Sequence, residues 1–371
     1  MLQNRGGEPR SKKTGPFLLG KRLEYKMPGT FRFLLAVAVV LCHLIHMPYY
    51  RDLGYYAVRA FFVLSGFAMT AALNEVYGFE GKRFWINRFL RLVPPYLTVC
   101  FLTALAIRCY PLEAARFMPR WAYPATAADV AKNLSIMPLA FGGLQFRYIE
   151  PAWSLAVEII MYAILWIGMG RSARGAFICF ATGAAYHCYK LFTDAPFAER
   201  YFTPEGALLS FAAGALIYFW RERSTLQTRA DFALFVSLAW LINFFAEGTL
   251  MPDGYAKQAG FYVNIALAAL VVVSQPALRP GPLARRIDTV LGNLSYPIFL
   301  VHWLGGFAGY LLLSSTVPRG WELVLASAPV IIVLAAPLAW LNGRFVEPLR
   351  WRVRSAERPR ENAGAASICL E

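Results

Sequence analysis

Ten apolar windows of spanning length, a composition that is 58% hydrophobic, and an uneven split of Lys and Arg between alternate loops predict the fold class. They describe an all-α, polytopic integral membrane protein with about ten transmembrane helices in one bundle and both termini cytoplasmic. The windows run at about 31–47, 54–73, 92–108, 152–169, 174–190, 205–220, 231–246, 260–276, 289–313 and 322–342. A mean hydropathy of +0.44 is too high for an ordinary soluble domain of 371 residues. One set of alternate loops holds 25 Lys and Arg, the N-terminus and tail included, against ten in the other set. Positive charge stays inside, so the richer set faces the cytoplasm. The chain divides into a basic N-terminal tail (1–30), a membrane domain (31–349) and a C-terminal tail (350–371).

The net charge of +15 is dispersed between apolar segments, which explains it by topology and argues against a nucleic-acid partner. The six cysteines show no CxxC or Cys/His spacing, so neither a metal site nor a disulfide framework is expected. No small-residue cleavage pattern follows the first apolar run, which favours a retained first span over a removable leader.

That first span carries Arg32 and, eleven residues on, His43. Eleven steps of 100° bring a helix back to within about 20° of its start, so the two share a stripe about 16 Å apart along the axis. A cation and an imidazole on one face of a spanning helix are costly unless they serve a site. The second span holds Ser65 and Gly66, and the sixth holds Gly214, all read as close-packing positions. In RFWINRFLRLVPPY, Arg88 and Arg91 lie three apart on one helical face just before Pro94 and Pro95 open the third span. With Arg32 they form an inner group of guanidinium groups suited to phosphates, although Arg88 equally suits a lipid headgroup.

The long segment 109–150 is placed outside and carries Trp121, Tyr123, Tyr148 and several arginines, which suit either a sugar polymer or an interfacial helix. The fourth span opens PAWSLAVEIIMY, so Trp153, Ser154 and Glu158 enter from the outer side, the last two one turn apart. The ninth span, LGNLSYPIFLVHW, brings Ser295 and Tyr296 in near the inner side and His302 toward the outer half. His43, Glu158 and His302 thus share a similar depth, where a carboxylate beside an imidazole tunes proton transfer; a satisfied core histidine is the other reading of His302. Arg344 and Glu347, three apart in GRFVEPLR, suit an ion pair.

Taken in order, Arg32 with His43, FFVLSGF at 61–67, RFWINRFLRLVPPY, WSLAVE at 153–158, LGNLSYPIFLVHW at 291–303 and the terminal RFVEP resemble the bacterial type 3 membrane acyltransferases, over Phe31 to about Leu349. The resemblance implies a multi-pass protein of the inner membrane that passes an acyl group, usually acetyl, from acyl-CoA to a sugar hydroxyl of a surface or secreted glycan or a lipid-linked oligosaccharide. It also implies that Arg32, His43, Arg88, Arg91 and Glu158 match functionally important positions; with the chemistry above, Arg32, Arg88 and Arg91 then hold the acyl-CoA phosphates and His43 is the general base or acyl relay. Arg59 stands where such chains often carry an acidic residue, and the second acidic residue common after Glu158 is absent. On this reading His43, Glu158 and His302 are the catalytic candidates, Trp153, Ser154 and Tyr296 the substrate-binding ones, and Ser154 or Tyr296 the donor to the tetrahedral oxyanion. A transporter or flippase of a lipid-linked saccharide uses the same residue types as a pathway, and a scaffold for polysaccharide assembly is a third reading.

Overall fold

The structure is a computed structural model that describes residues 29–45, 48–122, 126–142, 144–221, 229–250, 255–275, 281–315 and 318–355. Both tails beyond these limits, and Tyr123, lie outside the described residues. Each of the ten apolar windows falls on a helix to within a few residues at its ends. These are α1 (Gly29–Leu44), α2 (Pro48–Ala71), α3 (Gly81–Cys109), α6 (Ala152–Ile164), α7 (Ala173–Phe192), α9 (Pro204–Trp220), α10 (Ala230–Leu250), α11 (Tyr255–Ser274), α12 (Pro282–Leu312) and α13 (Trp321–Leu341). Short helices α4 (Pro111–Phe117) and α5 (Ala127–Ser135) fold the long segment, α8 (Phe197–Tyr201) precedes α9, and α14 (Glu347–Ser355) follows α13. No strand is present among the described residues.

Four stretches, Leu53–Tyr77, Gly81–Cys109, Ala152–Met169 and Trp321–Ser355, are long and apolar enough to cross a membrane by length and composition. Gly29–Leu44, Ala230–Ala246 and Gln258–Ser274 are apolar but shorter. Large apolar side chains such as Phe101, Phe235, Leu325 and Val333 are exposed around the helices. A face of that kind is at home in hydrocarbon and costly in water.

Two helix contacts position the site. α1 and α12 pack in parallel with a constant register: Asp288 accepts hydrogen bonds from Gly29 N (2.9 Å) and Thr30 N (2.7 Å), and fourteen residues further along both helices His43 meets His302. The carboxylate satisfies orphan donors at the start of α1 and sits at the positive end of its dipole. Near this end Gly292 leaves room for Arg32, whose Nη2 would lie 2.6 Å from any added Cβ. The second contact joins α2 to α9, where a Cβ at Gly66 would strike the Phe211 carbonyl and one at Gly214 the Val63 carbonyl. These small residues let two backbones touch, as their sequence context suggests.

The third helix departs from expectation. Pro94 and Pro95 lie inside α3, which starts thirteen residues earlier at Gly81 and runs through them without a break. Each proline forfeits one i to i−4 bond, to Leu90 and Arg91 respectively, a loss a long helix tolerates when neighbours hold both halves. Those neighbours are visible: α14 folds back onto the first turns of α3, with Arg83 donating to the Val353 and Arg354 carbonyls (2.9 and 2.5 Å) and Asn87 Nδ2 to the Arg350 carbonyl (3.1 Å).

Candidate active site

Around His43 the helices open a cavity of about 730 Å³. Its walls include Tyr55, Trp153, Tyr201, Phe202 and Trp303, and its polar groups include Ser154, Arg120, Arg147, Glu150 and Arg319. Volume and lining lie in the range of small-molecule sites. His43 Nδ1 is 3.0 Å from His302 Nε2, and His302 Nδ1 is 2.8 Å from the Phe299 carbonyl. A carbonyl only accepts, so the proton of His302 is on Nδ1 and its Nε2 is an acceptor. His43 therefore donates from Nδ1, which leaves its Nε2 lone pair free. The His302 ring fixes the tautomer in which His43 is able to take a proton.

The sequence placed Glu158 beside this pair, and the structure places it elsewhere. Glu158 accepts from Ser65 Oγ (2.6 Å) and from the Tyr162 hydroxyl, and no bond joins it to His43. Ser154 lines the cavity, while Glu158 is one turn deeper, about 6 Å along α6. There it faces the arginine group, within electrostatic range of Arg91. Tyr296 also belongs to that deeper level, its hydroxyl donating to the Leu92 carbonyl (2.9 Å). Ser154 Oγ donates to the Pro151 carbonyl (2.8 Å). Both hydroxyl protons are thus engaged by carbonyls, which weakens either residue as an oxyanion donor. Trp303 Nε1, in contrast, is buried and has no partner among the described residues. Its ring centroid lies 5.3 Å from that of His43.

The arginines do converge. Arg32 is in electrostatic range of Arg91, and Arg91 of Arg88. A fourth, Arg350, joins them from α14, although by sequence it is one of the charges of the C-terminal tail. Asn87 Oδ1 accepts from Arg88 (2.6 Å) and from Arg350 (3.3 Å). Glu347 pairs with Arg350 and with Arg354 (3.2 Å) instead of the expected Arg344, because a π-helical turn over Asn342–Val346 shifts the register between them. Asp288 spends its oxygens on α1, and Glu158 and Glu347 are the carboxylates in electrostatic range of Arg91. The Nε atoms of Arg32 and Arg88 are buried without a partner, and the Arg91 guanidinium makes no hydrogen bond to another described residue. Buried donors with excess positive charge are what a polyanionic ligand needs.

Other residues build the cavity wall. Arg59 is fully buried and donates to the Gly206 carbonyl (2.6 Å), the Tyr201 carbonyl (3.2 Å) and the Arg200 carbonyl, with its cation over the Phe62, Tyr201 and Phe261 rings. His187, to which the sequence assigns no role, adds a donor to the same Gly206 carbonyl (2.9 Å) and accepts from Tyr262 (3.0 Å). Together they hold Tyr201 and Phe202 against Trp153. In the long segment, Trp121 is core and donates to the Arg147 carbonyl (2.9 Å), while Tyr148 is buried against Phe146. Both line a second cavity, of about 480 Å³, outside the one that holds His43. The segment also presents Arg120, which pairs with Glu150 at 3.3 Å, and Arg147. Burial pushes the Glu150 carboxyl above the usual carboxylate range, against the pull of Arg120 and Arg147.

A helical, apolar scaffold with paired imidazoles in an inner cavity and a buried arginine group defines a membrane protein with an enzyme-like polar interior. The family model described as an acyltransferase domain matches residues 30–341, so the chain belongs to the type 3 acyltransferase family. It is 26% identical to the protein named "Putative membrane-bound transacylase BcsY" of Komagataeibacter xylinus, over 91% of this chain and 87% of that one. It is 24% identical to "Acyltransferase MdmB" of Streptomyces mycarofaciens, over 83% and 86% of the two chains. A shorter likeness, 27% identical over 40% of this chain and 26% of the other, joins it to "Putative O-acetyltransferase SA0834" of Staphylococcus aureus. No solved structure gives a significant match.

Proposed function

We propose that this protein crosses the bacterial inner membrane ten times, with both termini cytoplasmic, and transfers an acetyl group from cytoplasmic acetyl-CoA to a sugar hydroxyl on a surface or secreted glycan. The observation that carries this reading is the His43–His302 pair, whose hydrogen-bond chain leaves His43 Nε2 as a proton acceptor in a cavity walled by aromatic rings. Arg32, Arg88, Arg91 and Arg350 hold the phosphates of the donor, and its thioester supplies the acyl group. His43 Nε2 removes the proton of the acceptor hydroxyl as the oxygen attacks the thioester carbon, and His302 accepts from the imidazolium so formed. The Trp303 indole N–H is the donor offered to the tetrahedral oxyanion. The proton then leaves His43 for the departing thiolate, which restores the base. Glu158, held by Ser65 and Tyr162, balances the arginines where the donor enters.

Mass spectrometry of surface glycans from cells with and without the protein tests this directly. The expected result is loss of one acetyl mass per modified unit with chain length preserved. Shortened or missing glycan carrying its normal acetyl content instead supports the flippase reading.

A further inference from the structure

The mouth of the cavity is more positive than a neutral sugar requires. Three arginines, Arg120, Arg147 and Arg319, line it together with a single carboxylate, Glu150. Arg319 donates to the Phe117 carbonyl (2.8 Å) and lies over the Trp303 ring at 4.8 Å, so it is a fixed part of the wall beside His43. Arg147 is only 8% exposed, yet its Nε has no partner and its guanidinium makes no hydrogen bond to another described residue. A buried cation without acceptor partners is costly unless a ligand supplies them. On the orientation proposed above, these arginines also sit on the outer side, where loops are poor in Lys and Arg. Topology does not explain them.

Resting on the acyl-transfer reading, we infer that the acceptor saccharide carries an oxyanion, a uronate carboxylate or a phosphate, and that Arg147 and Arg319 bind it while the neighbouring sugar presents its hydroxyl to His43. Guanidinium groups bind either anion through paired, charge-assisted hydrogen bonds. The aromatic walls take the sugar faces. Glu150, paired with Arg120 and within electrostatic range of Arg147 and Arg319, limits the pull on anions, and one carboxylate among three cations leaves an excess of positive charge.

Calorimetry on the full chain in nanodiscs, without any donor, separates this from the transfer reaction itself. The probes are a β-1,4-glucuronan tetrasaccharide against its neutral twin cellotetraose, and glucose 1-phosphate against glucose. At least one anionic probe is expected to bind about tenfold or more tightly than its twin, as one charge-assisted hydrogen bond provides. Which pair shows the margin identifies the carboxylate or the phosphate as the source. Arg147→Gln and Arg319→Gln, each checked for folding by gel filtration, should shrink the margin severalfold, and Glu150→Gln should widen it. Twins that bind alike in the wild-type protein overturn the inference, as does a margin that survives both arginine substitutions. Because no acyl group moves in this assay, absence of transfer in cells leaves its outcome untouched.

Discussion

The two ends of the α1–α12 pair differ in how their polar groups are satisfied. At one end His43, His302 and the Phe299 carbonyl form a closed chain with one free lone pair left over. At the other end Arg32, Arg88 and Arg91 crowd together with unpartnered nitrogens, with Glu158, Glu347 and Asp288 in electrostatic range of the group. The first arrangement is complete before any ligand arrives, and in the proposed function it serves a proton. The second is incomplete, and in the proposed function it serves a polyanion. One helix register, fixed by the Asp288 cap and by Gly292, serves both.

The largest expected effect lies at the His43 end. Substituting His43 by Ala removes the proton acceptor and should lower turnover about a thousandfold, with the KM for acetyl-CoA unchanged. Next comes the arginine end: the double substitution Arg88→Gln with Arg91→Gln should raise the KM for acetyl-CoA about a hundredfold while leaving acceptor binding unaltered, as loss of two charge-assisted bonds requires. An unaltered donor dependence would remove the phosphate-docking role. His302→Gln, which keeps a hydrogen-bond acceptor but not the ring geometry, should cost about tenfold to a hundredfold in turnover and shift the pH profile of the reaction. A positioning role predicts that shift; a purely structural histidine would lower stability and leave the profile in place. The smallest effect is expected at Glu158→Gln, which should alter donor KM severalfold and leave the pH profile unchanged, because Glu158 belongs to the arginine end. Were that profile to move as it does for His302, the division between the two ends would fail.

Much of this was legible in the chain. Hydropathy is a local property, so every apolar window found its helix, and the 3.6-residue period placed Arg32 and His43 on one stripe. The similar depth of His43 and His302 in their spans is also legible, and the shared α1–α12 register brings the two rings together. Glu158 was misplaced because the face of α6 is set by its own sequence, whereas its height against α1 is set by packing on Tyr201 and Phe202. Arg350 was missed because the π-turn at 342–346 that folds α14 back onto α3 has no sequence signature. Arg59 departs from what the family resemblance led one to expect, yet its burial under the Tyr201 and Gly206 carbonyls shows it supporting the cavity wall.

The account stands or falls on whether His43 takes a proton from a sugar. NMR of surface glycan from cells that express His43→Ala at wild-type levels measures this most directly. The account predicts glycan of normal amount and length that has lost its O-acetyl signals; full acetylation with reduced export would contradict it.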